Sequence, residues 1–166
     1  MKYYSLKNYI YKKLLMDLQF QIQQLTRQNI LEAVKGYSLS QLNEIPPKFN
    51  NNLAWNIAHV MATQQLLLYG LSDLPMQLEP DFIAKYRKGS RPEKDIDQLE
   101  WDYIIDMYPK TILQAKEDYR NGIFSQFKSY TTSYGMTLTS IEESITFNNV
   151  HEGLHFGSVL AIRKLV

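Results

Sequence analysis

A chain of 166 residues fits one domain with a hydrophobic core of its own, held without disulfides or an obligatory stabilising metal. Its formal net charge of +1, with 21% charged residues, sets up no bulk field for nucleic acid or an anionic membrane, and favours small, roughly neutral partners. Cysteine is absent, which excludes disulfides, thiolate metal sites and a catalytic thiolate, so any metal must use imidazole, carboxylate or water.

The stretch Met1 to Lys13 is rich in Tyr and Lys and lacks the apolar run of a signal peptide. No later segment approaches the ~20 apolar residues of a membrane span, so a soluble, cytoplasmic protein is expected. Lys7, Tyr9, Tyr11, Lys12 and Lys13 read as a solvated face, because a neutral chain argues against a nucleic-acid patch. The first predicted helix runs from about Leu14 to Val34, and can extend back through Ile10 and Leu6. Leu18, Ile22, Leu25, Asn29 or Ile30, and Ala33 form its apolar stripe, with Gly36 as the stop.

Pro46-Pro47 cannot continue a helix, and Asn50-Asn51-Asn52 offers N-caps for a second one, ending at Gly70. The connection Leu71 to Pro92 contains Pro75, Pro80, Gly89 and Pro92; it exceeds most helix-to-helix links and reads as a crossover. A third helix from about Glu93 to Tyr119 carries Pro109, which removes a backbone donor and should bend or split it near Tyr108. The fourth opens on Thr139-Ser140-Ile141-Glu142, a capping box, and runs to the C-terminus. No alternating strand pattern or internal repeat competes. The fold class is therefore all-α, a four-helix bundle with a long crossover between helices 2 and 3.

On the fourth helix, Ile141, Ile145, Asn148, His151 or Glu152, His155, Val159 and Ile162 fall at three- and four-residue spacings, which puts both imidazoles on a mainly apolar, inward stripe. A second stripe of Phe147, Val150, Leu154, Ala161 and Leu165 makes the helix apolar over a wide arc, enough for both a core and a partner subunit. His151 and His155 lie one turn apart and can share one ion at the ~2.0–2.1 Å typical of zinc. The run His151-Glu152-Gly153-Leu154-His155 also fits H-E-x-x-H, in which the Glu acts as general base. A protease reading is weak, because no His, Asp or Glu follows His155. A di-iron reading is rejected, because a second Glu-x-x-His is missing.

His59 is the more natural third ligand, since Trp55, His59, Ala62 and Leu66 form one stripe of the second helix. Three imidazoles with open positions make a site catalytic in type, whereas closed structural zinc sites use four protein ligands. Asn148 and Glu152 read as supporting groups more than as ligands. Glu152 is the candidate base, although it sits about 100° round the helix from His151. The competing reading is a non-catalytic bundle whose hydrogen-bonded histidines are structural. A Ser-His-Asp triad is compatible with composition, yet neither a nucleophile elbow nor a Gly-rich phosphate loop is present.

The motifs Asn51-Asn52-Leu53-Ala54-Trp55-Asn56-Ile57-Ala58-His59, Lys88-Gly89-Ser90-Arg91-Pro92, Tyr134-Gly135 and Phe147-Asn148-Asn149-Val150-His151-Glu152-Gly153-Leu154-His155-Phe156-Gly157 together carry a resemblance. In order, spacing and placement they resemble the DinB/YfiT-like metalloenzyme superfamily, unrelated to the DNA polymerase that shares the label. The likeness covers residues 16–166 as one domain and leaves 1–15 as an N-terminal extension. It implies an up-down-down-up course, a homodimer, and one divalent metal ion, zinc or nickel with iron also admissible, on His59, His151 and His155. Trp55, Asn56 and Asn148 then line or support the pocket. It further implies a small-molecule substrate, with thiols as cosubstrates of transferase or isomerase reactions in some relatives. A thiol S-transferase or hydrolase is the activity expected, and the absence of cysteine fits a thiol that arrives with the cosubstrate.

Overall fold

The structure is a computed structural model that describes the backbone of residues 2–166 and the side chains of residues 11–166. The helices are α1 (Lys2–Ala33), α2 (Leu39–Asn43), α3 (Leu53–Leu68), α4 (Pro80–Tyr86), α5 (Gln98–Arg120) and α6 (Ile141–Ile162). A short antiparallel hairpin, β1 (Tyr130–Thr131) and β2 (Thr137–Leu138), pairs Tyr130 with Leu138 and Thr131 with Thr137. The chain is thus all-α apart from this hairpin, which no alternating pattern announces because each strand is two residues long. Among the described residues no helix is long and apolar enough to cross a membrane.

Four long helices make the core, and their cross-links fix their relative directions. Along α1 and α6 the partners advance together: Lys12 with Glu142, Arg27 with Glu152, and the Ala33 carbonyl with Arg163. Along α3 and α6 they run in opposition, from the Leu67 carbonyl with Ser144 to Asn56 with His155. Between α1 and α5 they oppose again, Asp17 meeting Arg120 while Arg27 meets Tyr108. At the far end of α3, Tyr69 donates to Asp118 of α5.

Helix α3 starts where the Asn run predicts: the Asn52 side chain accepts from the Trp55 amide, satisfying one of the free amides of the first turn. It is buried almost all round, its polar Asn56, His59, Gln64 and Gln65 included. Two other boundaries move. Asp97 caps α5 through the Glu100 amide, so that helix begins at Gln98 instead of Glu93. Ser140 caps α6 through the Glu143 amide, and the Glu143 carboxylate accepts from Thr139. The expected box on Thr139 and Glu142 is therefore displaced by one residue. Pro109 is carried inside a continuous α5, so the helix does not split there. The crossover is not bare either, since Pro80 at the first position of α4 starts a short helix in it. The capping box of Ser38 and Gln41 that opens α2 escapes the sequence reading altogether.

The largest departure is on α1. Its buried line is Met16, Phe20, Gln23, Arg27, Ile30 and Val34, whereas Leu18, Ile22 and Leu25 are 50%, 39% and 51% exposed. The first part of the apolar stripe read from sequence, Leu18 to Leu25, is the outer face, whereas its last positions Ile30 and Ala33 are buried; in between, the inner face is disguised by Gln23 and Arg27. Helix α1 does extend back beyond Leu14; the side chains of Leu6, Lys7, Tyr9 and Ile10 lie outside the described residues.

Candidate metal centre

The antiparallel run of α3 against α6 sets Asn56 opposite His155 and His59 opposite His151. One ring nitrogen from each of His59, His151 and His155 lies within 4.8 Å of the others. The ring centroids are 5.1, 4.6 and 4.6 Å apart, and Nε2 of His59 is 3.2 Å from Nε2 of His151. Two nitrogens on a tetrahedral ion at ~2.0–2.1 Å stand ~3.3–3.4 Å apart. The three histidines named from sequence are therefore gathered within metal-binding distance.

The far nitrogens decide which tautomer each ring presents. His59 donates its Nδ1–H to the Tyr86 carbonyl at 2.6 Å, leaving the Nε2 lone pair facing its neighbours. His155 donates Nδ1–H to Oδ1 of Asn56 at 2.8 Å. The Asn56 amide is oriented for this, because its Nδ2 donates to the Asn52 carbonyl at 2.7 Å and to Oδ1 of Asn51 at 3.2 Å. Such partners fix ring orientation and raise ligand basicity. Trp55 stacks on His59 at 4.5 Å and 11°, and its indole N–H donates to Ser90, so the Trp-Asn-x-x-His segment and the Lys88–Pro92 loop act on the same ring.

Burial pushes all three imidazoles below the usual histidine range. His59 is lowered by burial, against the pull of the Tyr86 carbonyl. His155 falls to about 4 and His151 to about 2, by burial first and then by neighbouring positive charge. All three stay neutral at pH 7, the state a metal ligand requires. In metal-free protein the unfolded chain takes up protons near pH 6.5 that the folded chain refuses. Stability should therefore be full above that pH and fall as the pH drops from 6.5 towards 4, by up to about 1.4 kcal/mol per pH unit for each histidine. Urea midpoints at pH 7.5 and 5.5 with a chelator present measure this; equal midpoints would contradict it.

A cleft of about 720 Å³ opens on the histidines, lined by Leu66, Leu71, Met76, Phe147 and Leu154 along its apolar wall and by Thr63 and Lys88 among its polar groups. Thr63, one turn beyond His59, places its hydroxyl 3.2 Å from His59 Nε2. The i,i+4 spacing from His59 could have flagged it. The Tyr86 carbonyl, a backbone group from the crossover helix, leaves no such trace in sequence.

Glu152 is elsewhere. It is fully buried, takes two hydrogen bonds from Arg27 Nε at 3.3 and 3.1 Å and a third from Nη2 at 2.8 Å, and accepts from Asn148 at 2.9 Å. Burial pushes its carboxyl upward, opposed by the Arg27 charge and the Asn148 amide. It does not line the cleft, so the general base expected at this position is corrected to one half of a buried ion pair. The core line of α6 runs through Ser144, Asn148 and Glu152, with the two histidines on its shoulder.

The family model of the DinB superfamily matches residues 23–159, a span that includes all three histidines and the Asn51–His59 motif. No curated protein matches the chain.

Proposed function

Because the chain belongs to the DinB superfamily, we propose that His59, His151 and His155 hold one divalent metal ion and that the protein is a metal-dependent enzyme acting on a small molecule. The observation that carries this reading is the convergence of three neutral imidazoles on a cleft, with no fourth His or carboxylate in the group among the described residues. A site of three ligands with an open side is the catalytic type. Three imidazoles suit zinc or nickel, and iron as well. Such an ion supplies Lewis acidity, bringing the pKa of a thiol or water near neutrality. The protein's own part is to hold the ligand rings through Tyr86 and Asn56, and to offer an apolar wall that orients the substrate and limits water. Thiol S-transfer or hydrolysis is the reaction class.

The same reading includes the up-down-down-up four-helix bundle, supported by the run of α1 with α6 and against α3 and α5. It also includes a cytoplasmic location and a homodimer. The dimer is supported by exposed Leu14, Leu15, Leu18, Ile22 and Leu25 on α1, by Val150 and Leu154 on α6, and by Leu165 just past its end.

Elemental mass spectrometry on untagged protein is expected to return about one equivalent of metal per chain, with none in His59→Ala or His155→Ala while circular dichroism is unchanged. Metal-free wild type would sink the proposal. Incubation of the metal-loaded protein with a panel of thiols and electrophiles tests turnover, and unchanged thiol titres throughout would leave the non-catalytic bundle as the better reading.

A further inference from the structure

Behind the histidines, each of the four long helices contributes a fully buried polar side chain with an unpartnered atom. Gln23 of α1 and Gln64 of α3 lack partners for both amide atoms, Tyr108 of α5 for its hydroxyl, and Asn148 of α6 for Oδ1. Known cross-links bracket this layer. Gln19 with Asn149 and Arg27 with Glu152 set the level of Gln23; Leu67 with Ser144 and His59 with His151 set that of Gln64. Gln64 thus stands level with the turn that contains Asn148, and Gln23 between Asn149 and Glu152, within about one turn of it. Buried polar groups without a protein partner are the places where a folded protein keeps internal water or an ion. Here amide N–H donors and carbonyl acceptors occur together beside an ion pair that is already neutral. A cation would face the N–H groups and an anion the carbonyls, whereas water serves both.

The same layer reaches the candidate metal ligands. Nδ1 of His151 is buried and unpartnered, the exception among three rings whose other members have theirs. Asn148 lies three residues before it on α6, with Cβ atoms ~5–6 Å apart, and its Oδ1 is an unused acceptor. Its Nδ2 is committed to Glu152, which Arg27 locks, so the Asn148 amide cannot turn its donor towards His151. Two buried, unpartnered atoms on neighbouring positions of one helix face are what a single bridging water can satisfy.

We infer that the core holds bound water on Gln23, Gln64 and Asn148, and that one such water links Asn148 Oδ1 to His151 Nδ1, making Asn148 the positioning residue for the third histidine. The link runs His151 to water, water to Asn148, and Asn148 to the Glu152–Arg27 pair. It gives His151 the orienting partner that Tyr86 and Asn56 give the other two. The inference rests on the three histidines being ligands, and two measurements separate its failure from the failure of that reading.

The first is a high-resolution crystal structure of the metal-free wild type, which needs no metal to be bound. A water within hydrogen-bond distance of both Asn148 Oδ1 and His151 Nδ1 is expected; a direct protein partner on Nδ1 would overturn the proposal. The second compares zinc-loaded wild type with Asn148→Leu by nitrogen-15 NMR of the histidine rings and by competition for zinc. The His151 Nδ1–H signal should be slowly exchanging in wild type and lost in the variant, with the His59 and His155 rings unchanged. Affinity should fall ~10–100-fold. An unchanged His151 signal and affinity would refute the link even in a protein that binds zinc normally, which a merely structural role for Asn148 predicts.

Discussion

Arg27→Met is expected to cost about 3–5 kcal/mol of folding stability, a large share of the ~5–15 kcal/mol that a domain possesses. Arg27 is 2% exposed and grips Glu152, itself inaccessible, through two nitrogens. It donates further to the Tyr108 carbonyl at 2.7 Å and to Thr111 at 2.8 Å, and its guanidinium lies 4.8 Å from the Tyr108 ring centroid. One side chain of α1 thus ties α5 to α6 across the centre of the core. Removing it leaves a carboxylate in a medium that cannot solvate it, and that stranded charge is the larger part of the penalty. Arg27→Met combined with Glu152→Met should consequently recover most of the loss, because replacing both members of a buried pair with apolar groups is often close to neutral. Urea denaturation of the two variants and the wild type reads the difference. A double variant as unstable as the single one would mean that the stranded charge is not the cause.

That same pair explains why part of the molecule was legible in the sequence and part was not. The all-α class, the Asn52 cap and the three-histidine group follow from local chemistry: proline and asparagine positions, and the i,i+4 spacing of His151 and His155. The inner face of α1 does not, because its central positions are Gln23 and Arg27, and polar residues advertise solvent until their partners on another helix are known. Leu18, Ile22 and Leu25 consequently drew the stripe to the wrong side. Glu152 was drawn towards catalysis by the same blindness, since its partner stands 125 positions away in the chain. Smaller errors are a capping box one residue out of register, where adjacent Thr139 and Ser140 could each serve as cap, and a helix begun at Gln98 instead of Glu93.

Zinc supplied at about 100 times its Kd should stabilise the native protein by ~2.7 kcal/mol, since an ion that binds only the folded state shifts the unfolding equilibrium by mass action. For a chain of this size that corresponds to a rise in Tm of ~5–11 °C. The rings are already neutral and turned by Tyr86 and Asn56, so little reorganisation opposes binding. A chelator should reverse the shift, and His59→Ala should abolish it, because the loss of a ligand exceeds the ~10–100-fold that loss of an outer orienting partner costs. Calorimetric scans with and without chelator measure both. A shift of equal size in wild type and His59→Ala would place the ion at some other site.

The partner of His59 is a main-chain oxygen at the end of α4, and that has a consequence for variation in this chain. No exchange of side chain at position 86 can delete a carbonyl, so the orientation of His59 is indifferent to which residue stands there, provided α4 still packs. It is vulnerable instead to the length of the crossover: one residue inserted or removed between Pro80 and Tyr86 turns the carbonyl by about 100° and takes it out of reach. Half of the control over this ring is thus written in spacing and not in residue identity.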